Sequence, residues 1–308
     1  MDYRIINILA ALTIMMLVSC SSGTKNEGKT DRLTIVTTTG MIGDAVRNIV
    51  GDSAEVIALM GPGVDPHLYK ATQGDLKKLT DADVVFYNGL HLEGKMGEVL
   101  EKLARIKPVV AVGANIDDKK LRKVPEFNNN YDPHIWFDVS LWIEAVREVT
   151  RSLSEISPQQ AEYFEKNTKD YIAKLEALHI WVTESIASIP QEQRILITAH
   201  DAFGYFGEAY DIEVKGLQGI STLSEYGLRD VSELAKFIAS RKIKAVFIET
   251  SVSQKSINAV VEGVRERGFD VQVGGNLYSD AMGEEGTPEG TYEGMVKANV
   301  NTIVSALK

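Results

Sequence analysis

From Leu33 onward the chain alternates short runs of aliphatic and β-branched residues with stretches in which apolar residues recur every three or four positions. The runs predict strands and the recurring stretches predict helices. Because the predicted strands are mostly continuous apolar runs rather than alternating ones, we expect parallel sheets with helices on both faces. In the first part of the chain, strands are predicted at 33–39, 54–59, 83–87 and 108–112, and helices at 42–50 and 74–79.

The longest helical pattern follows Ser157 and Pro158, a pair typical of a helix start, and runs to Pro190 without an internal Gly or Pro. About 31 residues at ~1.5 Å each form a helix of roughly 47 Å, long enough to run along two lobes. A second set of elements follows this helix. Strands are predicted at 194–198, 244–248 and 269–273, and helices at 231–240, 256–267 and 292–307.

These elements predict an α/β protein of two lobes, each a mainly parallel sheet covered by helices, joined by one long backbone helix. We expect the first lobe at 32–156, the linking helix at 157–190 and the second lobe at 191–308. No repeat of fixed period occurs, which argues against a solenoid.

Residues 1–19 have the build of a signal peptide, with Arg4 before an apolar run. The run is shorter than the ~20 apolar residues that a spanning helix needs. It ends at Leu-Val-Ser-Cys, which resembles the bacterial lipobox, in which the cysteine becomes the first mature residue and is acylated. Residues 20–31 then comprise lipidated Cys20 and a polar tether. The alternative is an ordinary cleavage site followed by a buried cysteine.

The amino-acid composition and the absence of certain motifs argue against several classes of function. Lys plus Arg number 33 against 43 for Asp plus Glu, a net charge of -10, which argues against binding to nucleic acid phosphates. Cys20 is the single cysteine, so disulfides, four-thiolate zinc sites and iron–sulfur clusters within one chain are excluded. The phosphate-binding, dinucleotide-binding, zinc-protease and serine-hydrolase motifs are absent from the sequence, and we expect a protein that is not an enzyme.

Two of the five histidines lie in the same tripeptide, Asp-Pro-His, at 65–67 and 132–134. Proline fixes its own φ and holds the preceding residue extended, so each imidazole is presented from a stiff loop. Asp65 and Asp132 are of the right type to accept the other ring N–H, the usual arrangement behind a metal ligand.

His67, His200 and Asp280 each follow a predicted strand, where ligands of open α/β sheets bind. His134 precedes the amphipathic segment 135–149 and can join them, which gives two candidates per lobe and a site in the cleft between lobes. Three imidazoles and one carboxylate suit a divalent first-row ion, are too rich in nitrogen for Ca²⁺ or Mg²⁺, and lack the thiolate that favours Cu(I). Zn²⁺ would bind such a site more tightly than Mn²⁺, so affinity alone does not decide the physiological metal.

Two glutamates and two further histidines could also bear on the site. Glu225 and Glu249 follow or end strand-like segments and are candidates for supporting the ligands, against a reading as ordinary solvated or capping carboxylates. His91 lies just past a strand end, where we expect a structural or surface role. His179 lies on the apolar stripe of the long helix, where we expect it to pack.

Together with the lipobox, four motifs resemble the metal-binding lipoproteins of bacterial ABC importers, the cluster A-I or family 9 solute-binding proteins for zinc, manganese or iron. The motifs are GVDPH (63–67), NGLHLE (88–93), DPHIWFD (132–138) and GIST (219–222). The resemblance runs over 32–308. It implies two α/β lobes joined by a backbone helix, metal ligands at His67, His134, His200 and Asp280, and delivery of the ion to an ABC permease with a separate ATPase subunit.

The chain departs from the family pattern at two places that bear on the metal. Several manganese-specific members have glutamate where this chain has His200, and zinc-dedicated members often carry a His-rich loop that is absent from 117–131. These departures point in opposite directions, so Mn²⁺, Zn²⁺ and Fe²⁺ all stay open, with manganese or broad specificity slightly favoured.

The resemblance also implies an exported monomer, anchored by acylated Cys20 on the extracytoplasmic side of a bacterial membrane, in the periplasm or at the cell surface. The alternatives are a surface adhesin, an exported metal-dependent hydrolase and a relative that binds an organic chelate.

Overall fold

The first lobe is built on a sheet of four parallel strands. In the computed structural model, which describes residues 32–308, the strands are β1 (Leu33–Thr37), β2 (Ala54–Ala58), β3 (Val84–Tyr87) and β4 (Val109–Ala111). Their order in the sheet is β2-β1-β3-β4. The helices between them are α1 (Gly40–Val50), α2 (Gln73–Asp81) and α3 (Gly97–Ala104). Neighbouring residues Ile35 and Val36 are both fully buried, the first in a core with α1 and the second in a core with α2 and α3. Helices therefore cover both faces of this sheet, as the apolar strands predict.

The predicted signal peptide (1–19) and the tether with Cys20 (20–31) lie outside the described residues. Within 32–308, no helix combines the length and the apolar character required to cross a bilayer.

A short antiparallel pair of strands follows the first sheet in the chain. It comprises β5 (Lys123–Val124) and β6 (Asn130–Tyr131). A 3-10 turn at Ile135–Phe137 follows, and Asp138 then caps α4 (Val139–Ile156) by accepting from the backbone N–H groups of Ser140 and Leu141.

The long helix α5 (Ala161–Ala187) has 27 residues and is about 40 Å long. It is shorter than predicted because its first turn, Pro158–Gln160, is a 3-10 turn and because the helix ends before Pro190. Apart from Ile172, its buried residues follow three- and four-residue steps: Phe164, Thr168, Tyr171, Leu175, Leu178, Val182 and Ile186. It contacts α1 and α4 before it in the chain and two helices after it. The prediction of two α/β lobes joined by one long helix is confirmed.

The second lobe contains four strands, β7 (Ile195–His200), β8 (Glu213–Gln218), β9 (Ala245–Glu249) and β10 (Gln272–Leu277). They form two parallel pairs, β7 with β8 and β9 with β10, and β7 packs beside β9. Its helices are α6 (Gly204–Tyr210), α7 (Leu228–Arg241), α8 (Lys255–Arg265) and α9 (Tyr292–Leu307).

The strand predicted at 269–273 is displaced toward the C-terminus. Phe269 still belongs to the end of the preceding helical segment, where its N–H donates to the carbonyl of Val264. Two glycines inside β10, Gly274 and Gly275, interrupt the apolar pattern by which the strand would be predicted. A Cβ at Gly274 would lie 2.7 Å from the Cβ of Ala306 and 2.8 Å from Phe247 Cε1, so glycine is needed for close approach of α9.

The lobes share their interior. Residues Leu33–Lys308 form one compact unit, and one apolar cluster extends from Ile35 in β1 through Leu175 in α5 to Phe247 in β9. Buried Asp44 of α1 joins the same region, because its Oδ2 accepts from Tyr171 Oη (3.1 Å) and from the backbone N of Tyr292 (3.2 Å). Burial raises the pKa of Asp44, and the hydrogen bond from Tyr292 opposes that rise. This packing holds the two strand systems, and the loops at their ends, in a fixed relation.

Candidate metal centre

Four side chains meet at one buried point between the lobes: His67, His134, His200 and Asp280. One nitrogen or oxygen from each lies within 4.8 Å of all the others. Asp280 Oδ1 is 3.3 Å from His134 Nε2, its Oδ2 is 3.3 Å from His200 Nε2, and His67 Nε2 is 3.3 Å from His134 Nε2. Ligand atoms at ~2.1 Å from a common ion lie roughly 3.4 Å apart in a tetrahedron. The spacing therefore fits one metal ion.

The fold places these groups at the ends of its strands. His67 lies in the loop between β2 and α2, His200 is the last residue of β7, and Asp280 follows β10. His134 precedes the 3-10 turn that leads into α4. Carboxyl ends of parallel strands in both lobes thus face one cleft, which is where open α/β sheets bind ligands.

Asp132 orients the ring of His134. Its Oδ1 accepts from His134 Nδ1 (2.7 Å) and from the His134 backbone N (3.0 Å), which leaves Nε2 directed at the centre. Burial lowers the pKa of His134, but the carboxylates of Asp132 and Asp280 outweigh burial and raise the pKa to about 9. Asp132 lies where the sequence predicts a supporting carboxylate.

Glu249, the last residue of β9, does the same for His200. Its Oε1 accepts from the His200 backbone N (2.9 Å), and its Oε2 lies against His200 Nδ1. Burial lowers the pKa of His200, but Glu249 and Asp280 raise it well above its usual value. Both histidines therefore present Nε2 to the ion and use Nδ1 for orientation.

His67 is held differently, and the expectation for Asp65 is wrong in its detail. Asp65 Oδ1 accepts from the backbone N of His67 (2.8 Å), and its Oδ2 accepts from Thr222 Oγ1 (2.6 Å). Asp65 thus caps the loop and bonds across the cleft, while His67 Nδ1 is buried without a hydrogen-bond partner within 32–308. Burial lowers the pKa of His67 to about 3, so its ring is neutral, as a ligand must be.

Glu225 does not support the site. It is exposed in the segment between β8 and α7, and this segment reaches the ligand loops through Thr222 instead. The sequence alone does not show that Thr222 rather than Glu225 reaches the ligand loops, because both residues lie in the same polar, serine-rich stretch.

The Asp280 carboxylate lies where a cation bound to the three imidazoles would contact it. Both of its oxygens are buried, and in the described part of the chain only the three imidazoles approach them. Burial raises the pKa of Asp280, but His200 and His134 hold the pKa well below its usual value. Since imidazole nitrogens are the nearest groups to Asp280 within 32–308, protons on these rings compensate the buried carboxylate in the metal-free chain. A buried carboxylate surrounded by imidazole nitrogens is the observation that best fits a bound metal ion, which would replace those protons.

Hydrogen bonds between two side chains and the backbone just before Asp280 hold this residue in place. Asn299 of α9 accepts from the N of Tyr278 (2.9 Å) and donates to its carbonyl (2.7 Å). Trp136 Nε1 donates to the carbonyl of Ser279 (3.0 Å), and the indole packs against the ring of His134. Trp136 thereby links the loops of two ligands from different lobes. The sequence gives no signal for this role beyond the position of Trp136 in the DPHIWFD motif.

A second missed element is the NGLHLE turn at 88–93. Glu93 is buried and accepts from Thr38 Oγ1 (2.7 Å) and from the backbone N of Asn88 (2.7 Å) and Gly89 (3.2 Å). Asn88 Nδ2 donates to the carbonyl of Pro133 (2.9 Å), directly before His134. Glu93 thus holds the turn that anchors the His134 loop.

The same turn contains backbone strain. Gly89, Leu90 and His91 have φ of 79°, 53° and 68°, a left-handed run that is unfavourable for the last two residues. His91 itself is exposed, as expected, and lies edge-on to Phe127. His179 packs in the long helix, as expected, with Nδ1 3.1 Å from Tyr210 Oη.

The ligand set can hold an ion with coordination number four or five, because the two oxygens of Asp280 face different imidazoles. Three nitrogens and a carboxylate suit Zn²⁺, Mn²⁺ or Fe²⁺. All four residues are at most 2% exposed, so the centre is closed to bulk water. The arrangement could hold one ion, with all four of its side chains buried.

Known proteins resemble this chain over nearly its whole length. The family model for the periplasmic component A of zinc-uptake complexes, ZnuA, matches residues 35–306. Manganese-binding lipoprotein MntA of Bacillus subtilis is 53% identical over 303 residues, covering 98% of this chain and 99% of MntA. Zinc-binding protein TroA of Treponema pallidum is 48% identical over 304 residues, covering 99% and 98%.

A third relative and a solved structure extend the comparison. The metal ABC transporter substrate-binding lipoprotein SloC of Streptococcus mutans is 30% identical over 306 residues, covering 97% of each chain. The solved structure of the periplasmic zinc-binding protein TroA from Treponema pallidum has a TM-score of 0.88 and 50% identity to this chain, covering 90% of this chain and 99% of TroA.

The NGLHLE turn yields a prediction about stability. In Glu93→Gln, an amide NH₂ replaces one of the two acceptor oxygens and faces a backbone N–H. We expect the free energy of unfolding to fall by ~1–3 kcal/mol, measured by urea denaturation of the metal-free chain. The control is Glu98→Gln, an exposed carboxylate of α3, which should leave the unfolding curve nearly unchanged. Equal curves for the two variants would contradict a role for Glu93 in holding the turn.

Proposed function

Because this chain belongs to the family of periplasmic zinc-uptake components, we propose that it captures one divalent transition-metal ion between its lobes and delivers it to an ABC permease. It is a transport protein and not an enzyme, like the relatives named above. The observation that carries the proposal is the buried group of three imidazoles and one carboxylate whose oxygens have no other donor.

Capture follows from the placement of the ligands. His67 and His134 come from before the long helix, and His200 and Asp280 come from after it. An ion bound to all four therefore ties the two lobes together. Three neutral imidazoles and one carboxylate leave a net charge of +1 around a divalent ion. Asp132 and Glu249 keep two of the rings in the binding orientation before the ion arrives.

We propose Mn²⁺ or Zn²⁺ as the cargo, with Fe²⁺ as a third candidate. One close relative is named for manganese and the other for zinc. Zn²⁺ is satisfied by four ligands, whereas Mn²⁺ gains from a fifth, which bidentate Asp280 can supply. Because zinc binds such donors more tightly at equilibrium, delivery of manganese would depend on metal availability rather than on affinity.

Two rival functions are less well supported. A metal-dependent hydrolase needs an open coordination position for water or substrate, whereas all four ligands here converge in an enclosed centre. An adhesin needs a surface that recognises a host molecule, and the sequence contains no motif for one.

The proposal is tested by titrating Zn²⁺ and Mn²⁺ into the chain beginning at Ser21. The wild type should bind one ion per chain. His67→Ala and Asp280→Ala should each lose more than the ~10–100-fold in affinity that loss of a supporting residue costs, measured by competition with a chelator. His91→Ala is the matched control, since His91 is exposed outside the site, and should bind as tightly as wild type. Wild-type affinity in both ligand variants would refute the assignment.

We further propose that acylated Cys20 anchors a monomer on the extracytoplasmic side of the membrane. All four ligands come from one chain, so no second copy is needed to complete the centre. Light scattering of the metal-loaded chain should then give the mass of a single chain.

Anchoring predicts a change in location for Cys20→Ala. The wild type should label with radioactive palmitate and sediment with membranes, because a lipid-modified cysteine partitions into the bilayer. Cys20→Ala should lose the label and appear in the soluble extracytoplasmic fraction, whereas the neighbouring Ser22→Ala should behave as wild type. Membrane retention of Cys20→Ala would show that another part of the chain anchors it.

A further inference from the structure

Arg122 lies beside the metal centre and belongs to none of the groups assigned above. It directly precedes β5, in the first lobe, and its guanidinium reaches both Asp132 and helix α6 of the second lobe. Nη1 donates to Asp132 Oδ2 (2.6 Å), and Nε donates to Glu208 Oε1 (2.8 Å). Since Asp132 Oδ1 accepts from His134 Nδ1, a line of charge-assisted hydrogen bonds runs from α6 to a metal ligand.

This line leads from the surface to the buried centre. The Glu208 side chain is 66% exposed and that of Arg122 is 24% exposed, whereas those of Asp132 and His134 are fully buried. The Arg122 guanidinium is thus the last group with access to water before the ligand. It neutralises a buried carboxylate that would otherwise face the second lobe without a partner for Oδ2.

Helix α6 is shaped to receive this guanidinium. A Cβ on Gly204, the first residue of α6, would lie 1.7 Å from Arg122 Nη1 and 2.9 Å from Asp132 Oδ2. The next residue, Tyr205, accepts from the backbone N of Arg122 (3.0 Å) and donates to the carbonyl of Asp132 (3.0 Å). The missing side chain at 204 therefore leaves the space that the ion pair occupies.

His200, the other ligand whose ring is oriented by a carboxylate, has no such support from the opposite lobe among the described residues. Glu249 orients His200 from β9, which lies beside β7 within the second lobe. The orientation of His134, by contrast, uses Gly204, Tyr205 and Glu208 from the opposite lobe. Movement of α6 away from the first lobe would remove the contacts with Tyr205 and Glu208 that hold Arg122 in place. The pair between Arg122 and Asp132 lies within the first lobe and would lose only its packing against α6.

Building on the proposed metal binding, we propose that Arg122 is a positioning residue that couples lobe contact to metal affinity. Held by α6, it fixes Asp132, and through Asp132 it fixes the ring of His134 in the orientation that binds the ion. Separation of α6 from Arg122 weakens His134 as a ligand without displacing any ligand from its own lobe. Release to a permease then begins with loss of support behind one imidazole.

The first test uses a pair of matched glycine variants. Gly204→Ala places a methyl group where the guanidinium lies, so Arg122 must move, and Zn²⁺ affinity should fall by ~10–100-fold. Gly97→Ala makes the same change at the first residue of α3, where no heavy atom lies within 4 Å of the added Cβ. This control should bind zinc as tightly as wild type.

The second test removes the guanidinium and separates positioning from stability. Arg122→Gln is compared with Arg194→Gln, since the Arg194 side chain is similarly buried, 17% exposed, and pairs with Asp211 at the far end of β7 from His200. Both variants should lower the thermal unfolding midpoint of the metal-free chain. Only Arg122→Gln should lower zinc affinity, and only in this variant should the ¹⁵N signals of the His134 ring, which report its tautomer, change.

The outcomes distinguish this inference from the proposed function. If wild type binds zinc one-to-one while Gly204→Ala and Arg122→Gln bind with wild-type affinity and unchanged His134 signals, the positioning role is overturned. If Arg194→Gln loses affinity as much as Arg122→Gln, the effect is general destabilisation and the positioning role is again overturned. If wild type itself fails to bind a metal ion, the proposed function has failed instead.

Discussion

The burial of one carboxylate among three imidazoles is the constraint on which the rest of this structure depends. Asp280 lies out of contact with water, and the groups nearest its oxygens are nitrogens of His67, His134 and His200. Because a buried charge without compensation is costly, protons on the imidazoles must balance this carboxylate in the metal-free chain, and a bound cation would take their place. The fold holds the four groups together through packing elsewhere, so the site is formed before the ion binds and its binding energy is not consumed in ordering loops.

That packing limits how the lobes can move. The long helix contacts elements of both lobes, the apolar core is continuous across them, and Asp44 joins α1, α5 and α9 through Tyr171 and the backbone of Tyr292. A wide hinge opening would break this core, so the accessible motions are small shifts of packed elements. Small shifts suffice where cross-lobe hydrogen bonds, such as Asp65 to Thr222 and Trp136 to Ser279, support the ligand loops.

Much of the fold and of the metal centre can be predicted from the sequence, and the predictions that fail do so for physical reasons. Apolar strands and one uninterrupted helical pattern predict the two-lobed α/β fold, and strand ends with repeated Asp-Pro-His point to the four residues that the structure brings together. β8 is missed because it is half-exposed, and the strand predicted at 269–273 is displaced from β10 because close approach of α9 requires glycine at 274. Asp65 and Asp132 stand in identical tripeptides, but only Asp132 accepts from the histidine ring. Each accepts from the histidine backbone N through Oδ1 and from a side chain distant in sequence through Oδ2. Long-range partners of this kind leave no local pattern.

The measurement that tests the account most directly is X-ray absorption spectroscopy of the zinc-loaded chain at the zinc edge. Three imidazoles and one carboxylate predict nitrogen and oxygen neighbours at ~2.0–2.2 Å, with the multiple-scattering signal of three histidine rings. In His200→Ala the signal should fall to that of two rings. A shell of oxygens only, or a spectrum unchanged by loss of His200, would place the metal elsewhere and contradict the proposed centre.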